Sequence, residues 1–263
     1  MGIFSGILIC SDIDGTFSID TKPVQKNIEA VKYFTQNGGK FTMATGRTAA
    51  YLKSTEFFEL LNAPACICNG SIVYDYEKES VLFEEKEEFT LGEFLEALGD
   101  KRELLTGLYV YYTPKTVQAE NTARKEFSNN ELSSYPIKVV CVTQNKEDMK
   151  VFKDFCLKSE TFKNTFISNS WETGLEFNSI NGTKGSAVKF IKAHLKDIRL
   201  SVAIGDQEND IPMIVAADMG VCVESGIIEA KNKADLIVCS AKEGSLADLI
   251  RILEEKIISG ELK

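Results

Sequence analysis

The stretch Ile9-Cys10-Ser11-Asp12-Ile13-Asp14-Gly15-Thr16 decides how the chain is interpreted, because an apolar run ends in two carboxylates and a glycine turn. In extended backbone, side chains two residues apart lie on one face, so Asp12 and Asp14 can address the same small group. Two like charges this close repel each other, and a divalent cation or a shared proton relieves that repulsion. The alternative is an exposed acidic strand end followed by an ordinary Asp-Gly turn, and this stretch alone does not separate the two.

The composition indicates a globular protein of one large domain or two moderate ones. The chain has 263 residues, of which 44% are hydrophobic, so it can bury a substantial core. A net charge of -9 provides no basic stripe, so we expect no nucleic-acid partner, although a local cationic pocket can still take a small phosphate ester. No apolar run approaches the roughly 20 residues that span a bilayer, so we expect no membrane association. The oligomeric state is left open.

The cysteines indicate a reducing compartment. There are seven of them, an odd number, and they lie mostly within apolar runs as reduced core residues do. Because the N-terminus also lacks the basic segment of a signal peptide, we predict a cytoplasmic protein. A zinc site at Cys66-Ile67-Cys68 is disfavoured, since no second cysteine pair or histidine partner is available.

Strand-like runs alternate with helical patterns at both ends of the chain, which is typical of β-α units around a parallel sheet. A helix is predicted after Pro23, where apolar residues recur at helical spacing until Asn37-Gly38-Gly39. The predicted buried strands are 7–10, 41–44, 65–68, 202–204, 221–223 and 236–238. We therefore predict an α/β fold whose core, a Rossmann-like parallel sheet, is built from residues 1–85 and 181–263.

Residues 86–180 have a different texture, because aromatic and β-branched runs stand among helices. We predict that this segment is an inserted α+β domain. The charged stretch 84–88 is expected to be a solvated linker into it. Its aromatic residues either line a substrate pocket or form the core of a small sheet; they are Tyr109, Tyr111, Tyr112 and Trp171.

Three further clusters fall where strands of the flanking domain end, which is where open α/β sheets bind ligands. Thr45 and Gly46 offer a hydroxyl and a backbone N–H near a helix start, which suits an anionic oxygen. Lys184 follows Gly182-Thr183 at another helix start, where it could neutralise both a phosphate and a negative nucleophile. Each has an ordinary alternative, a common helix start for the first and a solvated lysine for the second.

The third cluster, Gly205-Asp206-Gln207-Glu208-Asn209-Asp210, repeats the opening pattern of an apolar strand that ends in glycine and a carboxylate. Asp206 would complete a hard-oxygen site for magnesium, which takes few carboxylates, several waters and a substrate phosphate. Asp210 could hold a coordinated water and could also cap the next helix, and capping requires no metal.

With all four clusters in this order, the chain resembles the haloacid dehalogenase (HAD) superfamily of phosphatases. The resemblance is to its Cof-like type IIB, in which a large C2B cap is inserted after the third core strand, and it runs nearly end to end. It implies a Mg²⁺-dependent phosphatase with an aspartyl-phosphate mechanism. The implied substrate is a small phosphorylated metabolite, with sugar phosphates favoured.

The resemblance also implies a role for each catalytic residue. Asp12 would attack phosphorus in line, and Asp14 would protonate the leaving alcohol and then activate water. Thr45 with Gly46, and Lys184, would hold the phosphoryl oxygens. Asn209 would lie close to the phosphate.

The implied magnesium ligands are the Asp12 carboxylate, the Asp14 main-chain carbonyl and Asp206, with Asp210 in support. Elementary chemistry agrees with this set. A carboxylate is a weak nucleophile that cannot approach a phosphate dianion unless a metal, a lysine and backbone dipoles cancel charge.

Two residues do not fit the pattern directly. Glu224 stands in Val223-Glu224-Ser225-Gly226, where the family usually has a small turn bearing an amide, and its role is unexplained. His194 is the sole histidine, and it is expected to pack or to lie at a solvated edge.

Two alternative functions stay open. A phosphomutase of the same superfamily would return the phosphoryl group to another hydroxyl instead of to water. A regulatory module would bind a phosphate ligand without turnover, although its catalytic residues show no decay.

Overall fold

The buried apolar runs form strands of two main sheets. The computed structural model describes residues 2–112, 121–123 and 125–262. Within those ranges the strands are β1 (Ile7–Ser11), β2 (Ser18–Ile19), β3 (Lys22–Pro23), β4 (Lys40–Met43), β5 (Ala65–Ile67), β6 (Ile72–Asp75), β7 (Ser80–Glu84), β8 (Leu105–Tyr111), β9 (Lys138–Thr143), β10 (Thr165–Trp171), β11 (Gly174–Ser179), β12 (Leu200–Gly205), β13 (Met219–Val223) and β14 (Leu236–Val238). The helices are α1 (Gln25–Gln36), α2 (Ala49–Lys53), α3 (Leu91–Leu98), α4 (Asn129–Leu132), α5 (Lys146–Cys156), α6 (Lys184–Leu195), α7 (Ile211–Ala216), α8 (Ile228–Lys231) and α9 (Ser245–Ile258).

The first main sheet is parallel and has the strand order β14-β13-β12-β1-β4. Every residue of β1 is buried, because helices cover both faces of the sheet. Ile7 and Ile9 pack with α1 and α9 on one face, whereas Leu8 and Cys10 pack with α6 and α7 on the other. The predicted α/β fold with a Rossmann-like parallel sheet is therefore confirmed.

The predicted strand at 65–68 does not extend this sheet. β5 meets it through a single parallel bridge between Ala44 and Cys66, and instead pairs antiparallel with β6 in a separate sheet, β5-β6-β7. The cause is a tight turn at Cys68, Asn69 and Gly70, whose φ angles of 50°, 60° and 100° are all left-handed and reverse the chain.

The second main sheet is antiparallel, with the order β10-β11-β9-β8, and lies within residues 105–179. One of its faces packs on α3 and α5; in β9, for example, Val139 and Cys141 contribute to that core. The alternate residues of β9, Lys138, Val140 and Val142, point the other way. We keep the division of the chain at residues 85/86 and 180/181 as a prediction.

The expectation that residues 84–88 are solvated is wrong at Glu87, which is only 2% exposed. Its N–H donates to the Pro136 carbonyl at 2.8 Å, and the Thr165 hydroxyl donates to its Oε2 at 3.2 Å. Oε1 has no hydrogen-bond partner among the described residues. Burial raises the pKa of Glu87 to about 8, so a protonated carboxyl is enclosed where the chain enters the second sheet.

All seven cysteines are free thiols, and all except Cys239 are buried. Burial raises the pKa of Cys10, Cys66 and Cys68 above the ordinary value, which makes these thiols unreactive. In the described ranges, none of the helices has the length and apolar character needed to cross a membrane.

We predict that Glu87→Gln stabilises the protein at neutral and alkaline pH. The native state holds a proton that the unfolded chain releases, so the free energy of unfolding falls as the pH rises from about 4.5 to about 8. Glutamine removes this loss, a gain of about 4 kcal/mol at the upper end of the window. Urea unfolding at several pH values measures it, with Glu77→Gln, the same change at an exposed position, as the control. Equal pH slopes for Glu87→Gln and wild type would contradict the prediction.

Candidate active site

The carboxyl ends of β1 and β12 bring two acids to the same edge of the parallel sheet. Asp12 directly follows β1, and its N–H donates to the carbonyl of Ile204 in β12 at 2.9 Å. Asp206 directly follows β12. At Gly15, where φ is 86°, a Cβ would lie 2.5 Å from Asp206 Oδ2, so only glycine permits this close approach.

Lys184 lies buried between two carboxylates. Its Nζ is 2.6 Å from Asp12 Oδ1 and 2.6 Å from Asp210 Oδ1, and its side chain is 1% exposed. It is the first residue of α6, whose Thr183 cap accepts a hydrogen bond from the Ser186 N–H. Burial alone would lower the pKa of Lys184, but the two carboxylates raise it above the ordinary value. The side chain is therefore a fixed ammonium.

Asp210 is fully buried and braces the turn that carries Asp206. Its Oδ2 accepts hydrogen bonds from the N–H groups of Asp206 and Gln207 at 2.9 and 3.0 Å. The alternative that Asp210 caps the next helix is wrong, because its side chain makes no capping hydrogen bond to α7. Pro212, near the start of that helix, has no N–H to donate to such a cap.

The carboxylates form a donor set that fits a hard divalent cation. One oxygen each from Asp12, Asp206 and Asp210 lie within 4.8 Å of one another, and the part of the chain that the structure describes holds no other such group. Burial, with the charges of Asp210 and Asp206, raises the pKa of Asp12 despite the opposing Lys184. Burial and the Asp210 charge also raise the pKa of Asp206 to about 7. A bound Mg²⁺ would relieve this repulsion.

Asp14 faces the same cavity as Asp12 but stays outside the buried cluster. Its Oδ2 accepts hydrogen bonds from Nε and Nη2 of Arg47, both at 3.3 Å, and its side chain is 46% exposed. β1 ends at Ser11, so both acids lie just beyond the end of the strand. No role for Arg47 was expected from the sequence.

Thr45 and Gly46 line this cavity where the chain leaves β4. Thr45 is 1% exposed, and its hydroxyl accepts the Arg47 N–H at 3.1 Å. The Gly46 carbonyl accepts a hydrogen bond from Lys138 Nζ at 3.0 Å, and a Cβ on Gly46 would lie 2.8 Å from Asn69 Oδ1. A side chain at Gly46 would therefore disturb the contact with the second sheet.

A buried polar network, which sequence analysis missed, joins the two sheets. Lys138 of β9 and Glu176 of β11 form an ion pair at 2.5 Å, with side chains 2% and 5% exposed. Asn69 donates to Glu176, and Asn209 donates to Asn69 Oδ1 at 3.2 Å. Asn209 is thus held through Asn69 by the second sheet. The sequence feature that could have indicated this network is the presence of a lysine and a glutamate within otherwise apolar strand sequences.

The cavity between the two sheets has a volume of about 870 Å³. Its lining residues are Asp12, Asp14, Thr45, Gly46, Arg47, Thr48, Tyr51, Tyr109, Tyr111, Lys138, Val140, Val142, Trp171, Glu176, Gln207 and Asn209. Three of the four aromatic residues singled out in the sequence are among them. Tyr112, the fourth, is 38% exposed and does not line the cavity.

The two residues that did not fit the sequence pattern lie away from the cavity lining. Glu224 is exposed, and its N–H donates to the Val238 carbonyl as β13 ends. His194 is exposed on α6 and stacks on Phe190 with a centroid separation of 5.9 Å, as expected for a residue that packs at a solvated edge.

Comparison with known proteins identifies relatives along most of the chain. A family model described as haloacid dehalogenase-like hydrolase matches residues 9–250. A provisionally named phosphatase of Streptococcus pyogenes serotype M6 is 27% identical, covering 93% of this chain and 97% of its own length. The pyridoxal phosphate phosphatase of Escherichia coli K12 is 22% identical, covering 92% of this chain and 97% of its own.

Solved structures share the fold. A HAD subclass IIB sugar phosphatase superimposes with a TM-score of 0.73 at 19% identity, covering 93% of this chain and 98% of its own. At this identity the likeness shows the fold alone.

We predict that Glu176→Gln lowers the free energy of unfolding by about 3 kcal/mol, because it leaves the Lys138 ammonium buried without its carboxylate. Adding Lys138→Met should restore most of the loss. The control is Glu172→Gln, which removes an exposed ion pair with Lys146 and should change stability by less than about 1 kcal/mol. Urea unfolding measures all four proteins, and equal losses for the two single variants would contradict the prediction.

Proposed function

The chain belongs to the haloacid dehalogenase-like hydrolase family, and on that basis we propose a magnesium-dependent phosphatase that hydrolyses phosphomonoesters of small metabolites through an aspartyl-phosphate intermediate. The observation that carries this proposal is the buried Lys184 between Asp12 and Asp210, with Asp206 beside them. The name of the E. coli relative, a pyridoxal phosphate phosphatase, and that of the subclass IIB sugar phosphatase support the reaction type.

Asp12 serves as the nucleophile. Lys184 holds its Oδ1, which leaves Oδ2 to attack phosphorus while the bond to the leaving oxygen breaks. Lys184 also offsets the negative charge that would otherwise repel a phosphate from a carboxylate. Because the ammonium is fixed by Asp210 as well, it needs no reorganisation during the reaction.

Asp14 serves as acid and then as base. It protonates the leaving alcohol, and afterwards accepts a proton from the water that attacks the aspartyl phosphate. Its side chain must first leave Arg47. Since both partners are more than 40% exposed, breaking that pair costs at most about 1 kcal/mol, which substrate binding can offset.

The phosphoryl oxygens are held by Thr45, the Gly46 N–H, Lys184 and Asn209. The first two lie beside the cavity where β4 ends, and Asn209 is held in place by Asn69. These four donors, which come from three segments of the chain, can thus converge on one phosphate.

Asp12, Asp206 and the Asp14 main-chain carbonyl would hold Mg²⁺, with Asp210 in support. When bound, the ion supplies positive charge that polarises the phosphoryl group and stabilises the transferred charge. The free, mostly buried cysteines support a cytoplasmic location, which we also propose.

We expect phosphate release from a panel of sugar phosphates and other monoesters in the presence of magnesium, and a loss of at least about a thousand-fold in kcat for Asp12→Asn. Asp197→Asn, the same change at an exposed position, is the control. Undiminished activity of Asp12→Asn would refute the mechanism. An isomerised ester without net phosphate release would indicate a mutase, and binding without turnover a regulatory module.

Magnesium should raise the melting temperature of the wild type, because the ion binds the folded carboxylate cluster; saturation to 100 times Kd corresponds to about 2.7 kcal/mol. Asp206→Asn should lose most of this shift, whereas Asp197→Asn should keep it. Differential scanning calorimetry with and without magnesium measures the effect independently of catalysis. An equal shift in Asp206→Asn would contradict the assigned ligand.

A further inference from the structure

The cavity has two chemically different ends. Carboxylates, Lys184 and the hydroxyl of Thr45 gather at the edge of the parallel sheet, where the phosphate would bind. The opposite wall is one face of the antiparallel sheet, and a leaving group attached to that phosphate must lie against it. The side chains on this face therefore select the leaving group.

Two tyrosines and two valines of neighbouring strands share that face. Tyr109 pairs with Val140 across β8 and β9, and Tyr111 pairs with Lys138, so their side chains project to the same side. Val142 follows two residues after Val140 on the same face. The intervening residues of both strands pack into the core beneath, which fixes the sheet in this orientation.

Two glycines lie opposite Val142, and one of them leaves space for the indole ring of Trp171. Gly107 and Gly174 both lie opposite Val142 in the neighbouring strands. A Cβ on Gly174 would lie 2.1 Å from Cε2 of Trp171, so the indole lies against the bare backbone there. Trp171 is 45% exposed at the margin of the cavity and presents an aromatic surface to it.

A fourth ring lies on the other side of the gap. Tyr51 of α2 lines the cavity, with the Arg47 guanidinium 4.6 Å from its ring centroid. Aromatic rings thus border the cavity from the antiparallel sheet on one side and from α2 on the other. Ring-lined gaps of this kind favour planar aromatic ligands, since offset stacking adds about 0.5–1.5 kcal/mol per pair beyond buried area.

The charged groups of this face are already engaged. Lys138 binds Glu176 and the Gly46 carbonyl, and Glu176 also accepts from Asn69. A sugar needs a partner for each buried hydroxyl, and an unmet hydroxyl costs about 1–3 kcal/mol. A hydroxyl that displaced Lys138 from Glu176 would break a buried ion pair, which is strongly unfavourable. The other side chains of the wall are aromatic or aliphatic, so it offers few hydrogen-bond partners to a polyhydroxylated leaving group.

From these contacts we infer that the preferred substrate is a phosphate ester whose leaving alcohol carries a planar aromatic ring. The ring would lie against the wall formed by Tyr109, Tyr111 and Trp171, with Tyr51 opposite. The inference rests on the proposed phosphatase function and replaces the sugar phosphate favoured by sequence resemblance.

A matched set of substrates tests the inference. Benzyl phosphate and cyclohexylmethyl phosphate both release primary alcohols of similar size, so they differ mainly in ring planarity and π character. Hexose 6-phosphate tests for a sugar site, and ethyl phosphate reports the phosphate site alone. We expect kcat/KM for benzyl phosphate to exceed that for cyclohexylmethyl phosphate by about 2–12-fold, the equivalent of one stacked pair, and to exceed that for hexose 6-phosphate by more.

Substitutions in the aromatic wall show which residues cause the preference for an aromatic leaving group. Trp171→Leu and Tyr109→Leu should each lower kcat/KM for benzyl phosphate more than for ethyl phosphate. Tyr112→Leu, the same kind of change at an exposed aromatic residue outside the cavity, should leave both unchanged. Melting temperatures of the variants show whether each is folded, and the ratio of the two substrates within one variant is independent of its folded fraction.

The outcomes separate the two proposals. Hydrolysis of ethyl phosphate with equal or better use of hexose 6-phosphate or cyclohexylmethyl phosphate would overturn the aromatic preference and leave the phosphatase intact. Unchanged substrate ratios in both Trp171→Leu and Tyr109→Leu would overturn it as well. No release from any of the four esters would overturn the phosphatase function itself.

Discussion

The buried ammonium of Lys184 is the interaction on which the rest of the site depends. Three carboxylates meet near the ends of two adjacent parallel strands, where burial and mutual repulsion raise the pKa of Asp12 and Asp206. A lysine fixed to Asp12 and Asp210 makes this arrangement tolerable within the fold. It also gives Asp12 an orientation, with one oxygen held and the other available. Asp210 then ties the same cation to the turn that presents Asp206, so three elements form one rigid unit.

Much of the fold and the inner site could be predicted from the sequence, because residues that follow neighbouring strands of a parallel sheet lie close together at one edge of it. Once 7–10 and 202–204 are interpreted as buried parallel strands, Asp12 and Asp206 must emerge at one edge, as they do. The Lys138–Glu176–Asn69 network could not be predicted in the same way. Lys138 and Glu176 lie in β9 and β11, and Asn69 lies in the turn after β5. Only the packing of the antiparallel sheet against that turn makes these residues neighbours.

One wrong expectation and one discarded alternative have local physical causes. Glu87 belongs to a strongly charged stretch, and its burial follows from a backbone hydrogen bond to Pro136 that no local pattern encodes. Asp210 precedes a helix, as a capping residue would, but its oxygens are taken by Lys184 and by the turn before it. In both cases the environment of the carboxyl group is set by contacts that the residue's position in the sequence does not indicate.

The left-handed turn at Cys68, Asn69 and Gly70 has a mechanical consequence. Gly70 lies so close to the Thr183 backbone that a Cβ on Gly70 would be 2.0 Å from the Thr183 carbonyl oxygen. Next to it, the Ser71 carbonyl accepts a hydrogen bond from the Glu85 N–H at 2.7 Å. The two connections to the antiparallel sheet, near Glu85 and near Thr183, therefore start from one closely packed region beside the start of α6. The start of α6, which carries Lys184, is therefore packed against the same region through which the chain passes into and out of the antiparallel sheet.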